Sequence, residues 1–171
     1  MDKIEQLAQK SSRKQIPALF KKIPWVKGQR NLDWGGGKYD DATNWLRDEH
    51  GVENMVVDKF NRSEEHNQSI IDDILVHMYN GDPYIHTATL ANVLNVIPNK
   101  SDRLTVLKEL ALNIALTSTT VYISCYEATG QPKVSECQTR MKLKDYLPEI
   151  KEIFRGEVTI KAGVITVHPE K

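Results

Sequence analysis

The apolar positions of the chain follow two rhythms that take turns along its length. Gln29 to Trp34 reads as a short strand and runs into Gly35-Gly36-Gly37. Asp40 to Glu49 has helical spacing, with Ala42, Trp45 and Leu46 on one face and Gly51 as its stop. Met55-Val56-Val57 within 52–60 has the apolar run of a buried strand. The spacing predicts a helix over 63–80, its stripe made by Ile70, Ile71, Ile74, Leu75 and Met78 and its end marked by Asn80-Gly81. Tyr84 to Val96 reads as a strand and its exit loop. Ser101 is placed to cap a helix with the face Leu104, Leu107, Leu110, Ala111 and Ile114. Thr119 to Tyr126 is β-branched and aromatic, a strand composition. Residues 128–140 are polar and irregular, and a helix near Leu147 to Phe154 is stopped by Gly156. Val158-Thr159-Ile160 and Val164-Ile165-Thr166-Val167 flank Lys161-Ala162-Gly163 and predict a terminal hairpin.

Strands and helices therefore alternate. That order predicts an α/β, Rossmann-like, doubly wound and mostly parallel sheet closed by a C-terminal antiparallel hairpin. Before it, Ile4, Leu7 and Ala8 give a weak helical stripe. Ile16, Leu19, Phe20 and Ile23 repeat at helical spacing between Pro17, suited to a first turn, and Pro24, a breaker. The expected division is a basic helical extension over 1–28 and one α/β domain over 29–171.

Composition adds one asymmetry. Lys+Arg and Asp+Glu both number 23, so the net charge is zero. Yet residues 1–30 hold eight Lys or Arg against Asp2 and Glu5, an excess of six positive charges that the remainder balances. A basic arm on an acidic body suits a polyanion such as nucleic acid, or is a solvated helix face. No run approaches the length of a membrane span, and no apolar stretch follows Met1, so neither membrane insertion nor secretion is expected. Cys125 and Cys137 are the only cysteines, and the histidines His50, His66, His77, His86 and His168 have no metal-ligand spacing. A cytoplasmic protein without a metal centre is the expectation.

The chemistry concentrates in Asn31-Leu32-Asp33-Trp34-Gly35-Gly36-Gly37-Lys38-Tyr39-Asp40. A strand ends in an acid, and a glycine turn then opens a helix. Glycines permit close backbone approach and positive φ, and the helix start adds free N–H groups. At the end of the next strand stands Asp58, where nucleotide-binding α/β folds hold ribose hydroxyls. Other roles are open to these side chains. Asp33 can cap the following helix, Asp58 can make a turn with Asn61, Trp34 can pack, and Asn92 and Asn95 can serve loop backbone. Asp82-Pro83-Tyr84 reads as a turn.

These residues resemble the first motif of the class I S-adenosylmethionine-dependent methyltransferases, matched by Asp33, Gly35 and Gly37. Asp58 matches that family's second-strand acid, and Ala91-Asn92-Val93-Leu94-Asn95-Val96-Ile97-Pro98 is similar to its fourth-strand ending. The terminal hairpin resembles its reversed last strand. The likeness covers roughly 29–168 and is nearest to small methyltransferase-like proteins of bacteriophages, hence a host-cytoplasmic setting.

The resemblance implies a site. Gly35, Gly36 and Gly37 would pass under the methionine and ribose of the cofactor, Asp33 would anchor its ammonium directly or through water, and Asp58 would accept from the ribose hydroxyls. Asn92 would reach the methionine moiety or the acceptor. Ser135, Gln138 and Arg140 lie where acceptor loops sit in such folds, beyond strand ends. The chain also departs from the family. Tyr39 replaces the third glycine, and the sheet is expected to be one strand short. A methyltransferase acting on an undefined acceptor, with nucleic acid favoured by the basic arm, stands beside two alternatives: a non-catalytic binding protein on a degenerate fold, and an enzyme that cleaves S-adenosylmethionine.

Overall fold

The computed structural model describes residues 3–115, 117–127 and 139–170. Its elements are α1 (Lys3–Ser11), β1 (Arg30–Trp34), α2 (Asp41–Trp45), β2 (Glu53–Val57), α3 (Glu64–Tyr79), β3 (Thr87–Ala91), α4 (Lys100–Asn113), β4 (Thr120–Ser124), α5 (Leu147–Ile153), β5 (Gly156–Lys161) and β6 (Val164–Pro169). The six strands form one sheet in the order β2-β1-β3-β4-β6-β5. Strands β1 to β4 are parallel, whereas β6 runs antiparallel to both β4 and β5. The α/β class, the parallel sheet and the reversed terminal strand are as the alternating pattern predicts.

Period-2 side-chain alternation gives the sheet two unlike faces. Leu32, Trp34, Met55, Val57, Ala88, Leu90, Val121, Ile123, Ile165 and Val167 point to one face and share a core with buried residues of α3, α4 and α5. The other face is polar at its centre. Thr87 Oγ1 donates to Asn31 Oδ1 at 2.9 Å, Asn31 Nδ2 donates to Asn54 Oδ1 at 2.7 Å, and Thr89 Oγ1 donates to Asp33 Oδ1 at 2.9 Å. Every one of these side chains is buried. The polar row is affordable because its members satisfy one another across β1, β2 and β3.

Leu19, Phe20 and Ile23 cover this second side together with Ala42, Leu46 and Val52. The helix expected over 16–23 is a correction. Only Phe20–Lys22 makes a single 3-10 turn, because Pro24 closes the segment before an α-helix can propagate. The apolar stripe read from the sequence is nonetheless what packs. Three further differences are local. Helix α4 starts from Asn99, so Ser101 lies inside its first turn and is not its cap. Helix α2 ends in a wider π-type turn over Leu46–His50 that closes at Gly51, whose φ is +63°. On α3, Ile74 is fully buried but Leu75 falls outside the stripe and is about half-exposed.

Strand β2 is an edge, on the side where the resemblance expects a further strand. The first turns of α3 blunt it. His66 Nε2 lies 2.9 Å from the Val56 carbonyl, and the Asn67 amide bonds both N–H and C=O of Asp58 at 2.9 and 3.0 Å. Side chains thus satisfy backbone groups that another strand would otherwise pair.

The β5–β6 hairpin turns on Ala162 and Gly163, at φ +50° and +75°. Both central residues of a type I′ turn need positive φ, which strains alanine and suits asparagine. Ala162→Asn is expected to stabilise the fold by about 0.5–1 kcal/mol, read as a rise in the urea midpoint at unchanged slope. The Lys22 contact to the Ala162 carbonyl, 2.7 Å long, uses backbone and should survive.

Candidate functional site

The chain leaves β1 toward β2 on one side and later returns to β3 on the other, so the loops after β1 and β3 diverge. Such a switch point leaves a crevice at the carboxyl ends of the strands. Here it opens into a groove of about 1160 Å³. Gly35, Gly36 and Gly37 line it from β1, Asp58 from β2 and Asn92 from β3. The structure therefore brings five of the six expected cofactor-binding residues to one cavity. The end of α1 and the segment after it (Ala8, Ser11, Ser12 and Arg13) close one side of the groove, and α3 and α4 extend it.

The turn is held in place from three directions. Gly35 N–H donates to the Val57 carbonyl at 2.7 Å, joining the exits of β1 and β2. Gly35 and Gly37 have φ near +80° and +81°. A Cβ on Gly35 would lie 2.6 Å from Val93, and one on Gly37 would lie 2.6 Å from Ser12 Oγ, so neighbours press on the backbone at both points. Arg62 Nε donates to the Gly37 carbonyl at 2.8 Å, and its Nη2 reaches Asp40 at 2.7 Å. Finally, Gly37 N–H donates to Asp58 Oδ2 at 2.8 Å.

Asp58 thus joins the two motifs. Its Oδ1 accepts from the backbone N–H of Phe60 and Asn61, both at 3.0 Å, which is the turn geometry open to it from sequence. Asn61 Nδ2 adds contacts of 3.1 and 3.2 Å to its two oxygens. The Oδ1 of Asn61 has no partner among the described residues. The carboxylate is well supplied with donors, and the Asn61 amide is the most easily exchanged of them.

Asp33 is the exception. It is 2% exposed and does not line the groove. It lies under the turn, where a Cβ on Gly36 would meet its carboxylate. Burial pushes its pKa up to about 7, with bonds from Thr89 and Asn54 acting against the shift and the neighbouring Asp58 charge adding to it. Of the two modes expected for it toward a ligand ammonium, direct or through water, this placement beneath the turn suits the indirect one. The strand's alternation turns position 33 into the polar face, and the turn folds over it.

Asn92 is exposed at the groove, at φ +60°, with its N–H on the Ser124 carbonyl at 2.8 Å. Trp34 is buried in the core and also borders the groove. Of the expected acceptor contacts, Ser135 and Gln138 lie outside the described residues, as does Cys137. Arg140 is exposed and is not part of the groove wall. Its neighbour Thr139 is fastened to Asn95 O at 2.7 Å and to the Tyr146 hydroxyl at 2.7 Å. Asp82-Pro83-Tyr84 makes a turn before β3, at the opposite end of the strands, where Tyr84 stacks on His77 with ring centroids 4.0 Å apart. Cys125 is packed against the core, and burial pushes its thiol up to about 12. It is no nucleophile at neutral pH.

Sequence reading missed Arg62, Asn67 and Ser12. All three act on the turn or on Asp58 through main-chain or amide bonds, which leave no spacing signature. The one available hint is the polar run Asn61-Arg62-Ser63 immediately after the strand acid.

No family model matches this chain, and no curated protein matches it. Among solved structures, it is similar to a protein-(glutamine-N5) methyltransferase (release factor-specific) from Alicyclobacillus acidocaldarius, at 17% identity and a TM-score of 0.41, over 100% of this chain and 95% of that one.

Proposed function

We propose that the groove binds S-adenosylmethionine and that the protein is a methyltransferase. The observation that carries this reading is the 2.8 Å bond from Gly37 N–H to Asp58. It fuses a glycine turn and a strand-end carboxylate into one wall of a cavity at the switch point, the arrangement that suits a nucleoside with a charged tail. The cavity is large enough, since small-molecule sites run to about 300–1,000 Å³. Gly35, Gly36 and Gly37 present backbone to the ligand. Asp58 would take the ribose hydroxyls by exchanging its Asn61 amide contacts. Asn92 would face the methionine portion. Asp33 would act from beneath, setting the charge under the turn. When bound, the cofactor supplies a methyl group on a cationic sulfur. The chain's own task is then to align the acceptor in line with it, and positioning of this kind can account for most of the rate gain. The basic residues of the first 28 positions favour a nucleic-acid acceptor, and the likeness to small bacteriophage proteins belongs to the same proposal.

Titration calorimetry with S-adenosylmethionine and S-adenosylhomocysteine tests it. Both should give saturable heat. Asp58→Asn, checked as folded by circular dichroism, should bind at least about tenfold more weakly, because the lost acceptor bonds contribute on the order of 1–3 kcal/mol. No heat from folded wild-type protein sinks the proposal. Mass spectrometry of the products separates transfer from cleavage of the cofactor. One observation favours a second reading, a binding protein without catalysis. Asp58 already has backbone donors on both oxygens. Heat without turnover on any acceptor would decide for that.

A further inference from the structure

Beside the groove lies a second, shallower cleft of about 490 Å³. Ser12, Arg13 and Tyr39 line both cavities and form the wall between them. The two sides of that wall differ in charge. The groove carries the carboxylates Asp58, Glu64, Asp102 and Glu109 against Arg13 and Lys59. The cleft is lined by Lys10, Arg13 and Lys38, the neutral side chains Gln6, Gln9 and Ser12, and Tyr39, with no acid among the described residues.

The cations are brought together by the fold. Lys10 and Arg13 come from the end of α1 and the residues just after it, and Arg13 Nη1 donates to the Lys10 carbonyl at 3.0 Å. Lys38 comes from the loop after the glycine turn, and its N–H donates to Ser12 Oγ at 3.1 Å. That bond fastens the arm to the loop. Asp40, the acid nearest to Lys38 in sequence, is engaged by Arg62 at 2.7 Å. The Lys38 ammonium lies 5.1 Å from the centre of the Tyr39 ring, and that ring is 37% exposed.

We propose that this cleft holds the phosphate backbone of a single-stranded nucleic acid, with Tyr39 offering its ring to a base at the edge of the groove. The proposal deepens the functional reading above: it names the acceptor class and the path by which the acceptor reaches the groove. Cations interleaved with an exposed aromatic ring are what non-sequence-specific single-strand binding uses. Tyr39 stands where the resemblance has a glycine, so the substitution that restricts backbone approach also supplies a stacking surface at the border of the two cavities. An acidic peptide would use the cations but gain little from the ring.

Fluorescence anisotropy with a labelled twelve-nucleotide DNA strand, its RNA equivalent and the duplex tests this. Three phosphate contacts to a single strand imply a slope of log K against log salt of about −2. Affinity should therefore fall roughly twentyfold between 50 and 200 mM salt. Lys10→Glu and Lys38→Glu should each weaken strand binding about tenfold and flatten the slope. Neither residue lines the groove, so calorimetric binding of S-adenosylhomocysteine should be unchanged in both. Lys144→Glu, the same charge change on another exposed surface, should leave strand binding intact. The proposal is overturned if the cleft variants bind like wild type, if Lys144→Glu loses as much, if duplex binds more tightly than either strand, or if poly-glutamate displaces the strand at equal charge concentration. Strand binding with no nucleoside binding would sink the methyltransferase reading and leave the cleft standing.

Discussion

Replacing Arg103 with methionine is expected to lower folding stability by about 3–5 kcal/mol, a large part of what a domain of this size has. The guanidinium on α4 is paired in two places with Glu149 on α5, Nε to Oε2 at 2.8 Å and Nη2 to Oε1 at 2.7 Å. Both side chains are nearly inaccessible, at 5% and 6% exposure. The remaining Nη1 donates to the carbonyls of Ile97 and Pro98 at 2.9 and 2.8 Å. One side chain thus fastens α4 to α5 and to the exit of β3. Methionine fills most of the volume but leaves Glu149 as a buried charge without its partner, and two carbonyls lose their donor. The pair as such adds little, because its desolvation offsets its attraction. The double variant Arg103→Met, Glu149→Leu should therefore recover most of the loss. Urea midpoints for the wild type, the single variant and the double variant measure this. A single variant within about 1 kcal/mol of wild type would mean that water reaches Glu149. Since Ile97 also borders the groove, the single variant should loosen that wall and weaken the nucleoside binding proposed for it.

That pair shows where sequence reading stops. Arg103 and Glu149 are 46 positions apart, each on a helix whose polar positions look like solvated surface. Only the packing of α4 on α5 makes them neighbours. The strands were legible because Met55-Val56-Val57 and Val164-Ile165 need burial whatever surrounds them. The glycine turn was legible because positive φ and close approach leave few other residues to choose. The burial of Asn31, Asp33, Asn54 and Thr89 was not, because alternation such as Asn31-Leu32-Asp33-Trp34 looks the same on a wet face as on a covered one. A polar residue at every second position usually marks a face turned to water. Here that face is covered by Leu19, Phe20 and Leu46, and the polar groups satisfy one another. Alternation reports which side chains share a face and is silent on whether water reaches it. The site followed the same rule: Asp58 and Asn92, each one residue past the end of its strand, reach the groove, whereas Asp33, one residue short of the end of β1, is folded under.

Asp33 should make the protein less stable as pH rises. Its pKa is about 7 in the folded chain, from an ordinary value of 3.8. Between these values the folded protein holds a proton that the unfolded chain has released, so stability is greatest at the acid end of the window and falls as pH climbs to 7. Above 7 both states are ionised and the full penalty of the buried charge remains, on the order of 4 kcal/mol. Most of the usable range is covered by comparing pH 5 with pH 8, where this group alone should cost about 2–3 kcal/mol. Glu65 is shifted the other way by hydrogen bonds to its own backbone and to Ser63, so its effect belongs to lower pH, outside that comparison. Asp33→Asn keeps a side chain of the same shape that can still accept from Thr89, and it cannot ionise. It should match wild type most nearly at pH 5, exceed it at pH 8, and lose this part of the pH dependence. Urea unfolding of both proteins at the two pH values reads the difference. If wild type were equally stable relative to the variant at both, the carboxylate would be reaching water, and the turn could not be resting on it. The same group also connects stability to binding. A ligand that brings a positive charge onto Gly35–Gly37 favours the ionised carboxylate beneath them, so binding at pH 7 should release part of a proton. Calorimetry in buffers of different ionisation heat detects that release, and Asp33→Asn should abolish it.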